Sequence, residues 1–221
     1  MEGRPWVHSP VTLSRVSTAL EIHYPFTGRW LVQNSPANRV PSHGTELFAT
    51  AHAIDFVPVD EQGRTAPVRL RSLVRTESPE SFPGFGAPIL APVAGTVVSA
   101  HDSVPDHHAH RGLPSLSYAL TQRRRLADGW AGLAGNHVII RVSERGTFVA
   151  LCHLQRGSVQ VSVGEIVRTG QPVGACGNSG NSTEPHLHLQ AQDAPDPAAA
   201  AAVPFTLQGS VPRNGQIVHV P

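Results

Sequence analysis

Residues 174–190 read GACGNSGNSTEPHLHLQ. Glycine, asparagine and Ser/Thr fill the first part, and a proline then introduces His186-Leu187-His188. That composition predicts a turn-rich loop feeding a strand. Residues two apart on a strand share a face, so His186 and His188 point one way while Leu187 and Leu189 point into a core. Two adjacent imidazoles on one face suit a divalent metal that carries water. The alternative is a pair of surface histidines on a half-exposed strand.

The chain has 221 residues, 40% of them hydrophobic, which fits one good-sized domain or a domain with an added arm. Net charge is +1 and Arg123-Arg124-Arg125 is the longest basic run, so charge does not favour nucleic-acid binding. The 13 histidines are many for this length, and histidine is the commonest metal ligand. Frequent valine with 20 glycines and 20 prolines predicts a mainly β protein of short strands. Cys152 and Cys176 form no C-x-x-C pair. Two small buried thiols are favoured over a single bridge. No run reaches the ~20 apolar residues of a membrane helix, and residues 1–16 lack the apolar core of a secretory signal. The chain is therefore expected to stay inside the cell, to leave by another route, or to lack its leader.

In chain order, residues 11–32 (VTLSRV, LEIHYPF, GRWLVQ) read as strands of an N-terminal arm, with His23 and Trp30 as packing residues. Residues 33–46 read as a loop holding His43. Residues 47–59 read as a strand interrupted by Asp55, whose carboxylate must be paired or cation-bound among its apolar neighbours. Residues 60–88 form a long polar loop, long enough to wall a groove. Residues 89–100 read as strand, turn, strand. The His-rich stretch 101–110 opens an insertion, residues 101–134, that is expected to be solvated or to flank a cleft. HVIIRVS and TFVALCH form a hairpin around Glu144-Arg145-Gly146, with Cys152 and His153 on opposite faces. Two short strands around Gly164 and Gly170 and a closing strand in QIVHV complete the chain.

Asp55, His153, His186 and His188 together make a set that could converge on one face. Asp55 and His188 can supply oxygen and nitrogen ligands to zinc, and a catalytic zinc needs a third. The third is a choice between His43 and His52. His52 lies at an odd offset from Asp55, which on a strand turns it away unless a bulge intervenes. His43 sits in a loop, free of that constraint, and is preferred.

The stretch G-x-x-G-N-S-G-N-S before H-L-H, with C-H-L, A-P-V-A-G-T-V-V, G-N-H-V-I-I and A-I-D-F upstream, resembles the LytM/lysostaphin-type zinc endopeptidases over about residues 40–195. The resemblance implies a single-domain antiparallel β-sheet or sandwich of the lysostaphin-like, duplicated-hybrid-motif type, with long loops walling a groove. An N-terminal β arm over residues 1–40 would pack on a metallopeptidase domain over residues 41–221. It implies one Zn²⁺ per chain, Asp55 and His188 as ligands, and His153 and His186 as non-ligand catalytic histidines. The family's H-x-x-x-D histidine falls on Ala51 here. Some relatives place S-H-G ahead of A-I-D, which again points to His43. The implied reaction is metal-assisted hydrolysis of peptide bonds in bacterial cell-wall peptidoglycan, with an extracellular or cell-envelope location. The alternatives are an inactive relative that binds cell wall or regulates, and a histidine-rich metal-storage protein using residues 101–110.

Overall fold

A computed structural model describes residues 19–66, 75–110, 129–142 and 146–221. The strands are β1 (Leu20–Ile22), β2 (Gly28–Gln33), β3 (Ile54–Pro58), β4 (Pro88–Leu90), β5 (Gly95–His101), β6 (Asn136–Val142), β7 (Phe148–Leu154), β8 (Ile166–Val167), β9 (Pro172–Ala175), β10 (Leu187–Gln192), β11 (Phe205–Leu207) and β12 (Ile217–Val220). Eight of them form one antiparallel sheet in the order β12-β2-β3-β10-β7-β6-β5-β8. Two small sheets, parallel β1-β11 and antiparallel β4-β9, accompany it. The fold is mainly β, as expected.

Alternation divides the sheet's side chains between two faces. Ile54, Phe56, Leu187, Leu189, Val149 and Leu151 belong to the main hydrophobic cluster on one face. Phe26 stacks on Trp30 at 4.2 Å within it. The other face carries polar groups in register. Gln33 lies opposite Asp55, Asp55 opposite His188, His188 opposite Cys152, Cys152 opposite His137, and His137 opposite His101. Directly opposed residues of an antiparallel pair share a face, so this row crosses six strands on one side.

Several expectations need correction. Residues 47–59 are not one strand: Leu47–His52 is a 3₁₀ segment, kinked where Phe48 and Ala49 take left-handed φ of 58° and 60°. The strand LEIHYPF shrinks to Leu20–Ile22, because Pro25 and the turn at Gly28 end pairing. GRWLVQ is not an arm strand lying on the sheet but an internal strand of it, between β12 and β3. Trp30 is buried, whereas His23 is exposed and not a packing residue. Both cysteines are free and buried. VTLSRV, Arg123-Arg124-Arg125, most of the insertion and the centre of the Glu144-Arg145-Gly146 turn lie outside the described residues. No helix among the described residues is long and apolar enough to cross a membrane.

The glycines of the G-N-S-G motif are required by close backbone approach. A Cβ on Gly177 would lie 2.3 Å from the Gln155 backbone nitrogen. Gly180, at φ +70°, packs against the end of the short helix Gly129–Ala134, where a Cβ would sit 2.5 Å from both Gly135 N and Leu133 O. The motif thereby locks the loop before β10 onto its neighbours. Gly180→Ala is expected to lower stability by about 2–4 kcal/mol. Gly164→Ala, at φ +91° but in open space, should lose only about 1 kcal/mol. Chemical denaturation of the two variants checks the difference.

Candidate metal centre

Asp55 sits near the start of β3 and is buried. Its Oδ1 faces His188 Nδ1 at 2.9 Å and its Oδ2 faces His43 Nε2 at 3.2 Å. Ligand atoms of His43, Asp55 and His188 all lie within 4.8 Å of one another. His186 Nε2 stands 3.9 Å from Asp55 Oδ1. The His153 ring lies 4.6 Å from that of His186 and 5.9 Å from that of His188, between centroids. The structure thus brings together five of the six residues singled out in the sequence. His52 is not in the trio; it ends the 3₁₀ segment, so the strand-alternation argument about it does not apply.

His153 arrives by an irregularity. The β6–β7 register shifts between Asn136 and His137, leaving His153 as an extra residue at φ 64°. A bulge breaks alternation, and Cys152 and His153 both line the same cleft, contrary to the opposite-face expectation. Burial holds the His153 imidazole well below its usual range, and His186 and His188 push the same way, against the opposing influence of Asp55 and the Ser179 carbonyl. Burial alone would raise the Asp55 carboxyl, but the hydrogen bonds and charges of His43, His188 and His186 outweigh it and hold it well below the usual carboxylate range. The Cys152 thiol is pushed far up by burial and by Asp55, so it stays protonated and is a poor ligand.

Hydrogen bonds fix which ring nitrogen of each histidine carries the proton. Ser42 Oγ donates to Thr50 O at 3.1 Å, so at 2.9 Å it accepts from His43 Nδ1–H. That leaves the His43 Nε2 lone pair facing Asp55. Gln190 Nε2 donates to Phe48 O at 2.9 Å, which turns Gln190 Oε1 to accept from His188 Nε2–H at 2.9 Å. The His188 Nδ1 lone pair then also faces Asp55. His186 Nδ1–H donates to Glu184 O at 2.8 Å and His153 Nδ1–H to Ser179 O at 2.9 Å. Their Nε2 atoms remain as proton acceptors.

With neutral rings those two lone pairs would repel the buried carboxylate; the hydrogen bonds that hold Asp55 down need a proton on each of these nitrogens, and a metal ion can take the protons' place. A donor set of two neutral nitrogens and one carboxylate oxygen fits a catalytic first-row divalent metal. The residues present therefore fit the implied ion, and His43, Asp55 and His188 are the ones that could hold it.

Three contributors were not visible beforehand. Asn34, at left-handed φ 47°, donates from Nδ2 to Asp55 Oδ2 at 2.7 Å. Ser42 and Gln190 set the tautomers. Gln190 carried a usable signal, since it shares the His188 face of the strand; Asn34 and Ser42 depend on loop geometry and carried none.

Comparisons with known proteins cover part of this site. The sequence model of peptidase family M23 matches residues 118–199. Over those residues the chain is similar to that family. The M23 match contains His153, His186 and His188 and stops short of His43 and Asp55. Among solved structures, lysostaphin from Staphylococcus simulans is similar at 19% identity and TM-score 0.40, covering 68% of this chain and 40% of that one. Its catalytic domain gives 17% identity and TM-score 0.40 over 82% of this chain and 86% of that one. A putative glycyl-glycine endopeptidase LytM from Ruminococcus gnavus gives 15% identity and TM-score 0.44 over 82% and 56%.

Affinity for a divalent metal ion should fall far more for His43→Ala than for His52→Ala. Competition with a chromophoric chelator at fixed pH checks the order, and an equal fall would remove His43 from the centre.

Proposed function

We propose that this chain is a zinc-dependent endopeptidase of the M23 type, acting on peptide bonds of bacterial cell-wall peptidoglycan, and hence at the cell envelope. The observation that carries the reading is the convergence of His43, Asp55 and His188 beside the free Nε2 atoms of His153 and His186. The centre opens into a cleft of about 580 Å³. Its lining includes Gln33, Thr45, Thr50, Asn181 and Thr183, which can hydrogen-bond a peptide backbone. Among the described residues no lysine or arginine lines it.

When bound, zinc supplies a Lewis acid for the scissile carbonyl and lowers the pKa of water toward neutrality. His43, Asp55 and His188 would hold it, and Asn34, Ser42 and Gln190 orient those three. His153, kept unprotonated by burial, is placed to take a proton at Nε2. His186, with Nδ1–H fixed on Glu184 O and Nε2 3.9 Å from Asp55 Oδ1, offers a second Nε2 beside the centre, able to accept a proton or, once protonated, to donate to the oxyanion. The pH–rate profiles of His153→Ala and His186→Ala distinguish which histidine does which.

The protein should purify with about one zinc per chain and hydrolyse a glycine-containing peptide. His186→Ala should reduce hydrolysis at least about a hundredfold and retain most of the zinc by metal analysis. A wild-type protein that refuses added zinc would instead fit a cell-wall-binding or regulatory module.

A further inference from the structure

The charge inventory of the cleft is lopsided. Among the described residues two carboxylates line it, Asp55 and Glu184. Asp55 is engaged by His43, His188 and Asn34. Glu184 is not: Thr65 Oγ1 donates to its Oε2 at 3.1 Å, and among the described residues no cation pairs with it. The chain contains no lysine at all, and no described arginine lines the cleft. Glu184 is half-buried, so its charge is partly desolvated and gains more from a partner than a surface carboxylate does.

Its backbone is pinned. The Glu184 carbonyl accepts from Ser182 Oγ at 2.7 Å and from His186 Nδ1 at 2.8 Å, and the following Pro185 is buried. The carboxylate thus sits on a fixed loop two residues from a histidine of the centre, with Oε1 left over. Two residues of extended chain reach about 7 Å, which is the distance scale of one or two substrate residues from the bond to be cut.

We infer that Glu184 forms a subsite for a primary ammonium group on the peptide substrate. This rests on the peptidase reading and names what that cleft selects. The ammonium comes from a free peptide amino terminus or from an amino-bearing side chain; both offer N–H donors to Oε1, and among the described residues no lysine or arginine side chain of the cleft competes for it.

The test uses zinc-loaded wild type and Glu184→Gln, whose equal zinc content shows the centre intact. The probes are hexaglycine amide, its N-acetylated form, and N-acetylated forms with one glycine replaced by lysine at each position in turn. Wild type should favour at least one amine-bearing probe over the acetylated hexaglycine by about tenfold in kcat/KM, mainly through KM. Glu184→Gln should erase that ratio. Gain with the free terminus alone assigns the subsite to a chain end, and gain with lysine at one position assigns it to a side chain. Equal treatment of all probes by wild type, or a ratio that survives in Glu184→Gln, overturns the inference. If wild type cleaves none of them, calorimetric binding decides. A wild-type preference for amine-bearing probes that is lost in Glu184→Gln keeps the subsite and sinks the peptidase reading; no preference sinks the subsite.

Discussion

Everything at the centre depends on one buried carboxylate surrounded by imidazole. Asp55 lies on β3 between β2 and β10, in register with Gln33 on one side and His188 on the other. Desolvating a lone carboxylate is prohibitive, so the strand tolerates Asp55 only because positive or hydrogen-bonding groups converge on both oxygens. His188 comes with the sheet register. His43 and Asn34 come from the loop after β2. The sheet therefore fixes half of the coordination sphere and a folded-back loop supplies the rest.

Local irregularities do what regular strands cannot. Alternation offers one side chain every second residue, which is too sparse to crowd four histidines around one point. The bulge at His153 adds a side chain to the face that Cys152 already occupies. The left-handed Phe48 belongs to a kink whose carbonyl meets Gln190. Asn34 takes a left-handed φ that asparagine tolerates better than most residues. Gly177 and Gly180 let the loop before β10 pass against neighbouring backbone. Each departure costs local free energy and each lies beside the centre, as expected where function rather than stability sets the geometry.

These departures also mark where sequence reading stops. Short strands, the H-L-H face and the buried Asp55 were legible because period-two patterning and desolvation act locally. The preference for His43 over His52 reached its conclusion through a mistaken strand: the 3₁₀ segment over Leu47–His52 is a tertiary choice that LFATAH does not reveal. The opposite-face reading of Cys152 and His153 failed for a similar reason, because a bulge depends on the partner strand's register. Asn34 and Ser42 act across loops and have no periodicity to betray them.

Protein groups hold the donor geometry of the centre. Ser42 ties the His43 loop to Thr50 and Ala51 through Oγ and N, and buried Gln190 and Gln192 continue the hydrogen-bond chain from His188 to Ala194 O along one face of β10. Ring tautomers, not only ring positions, are therefore set by protein groups. A metal ion held by these rings would need little rearrangement of them, and would displace the protons that compete for the same lone pairs. A centre built this way gains affinity from preorganisation rather than from extra ligands, which is consistent with three protein donors and a side left open to the cleft.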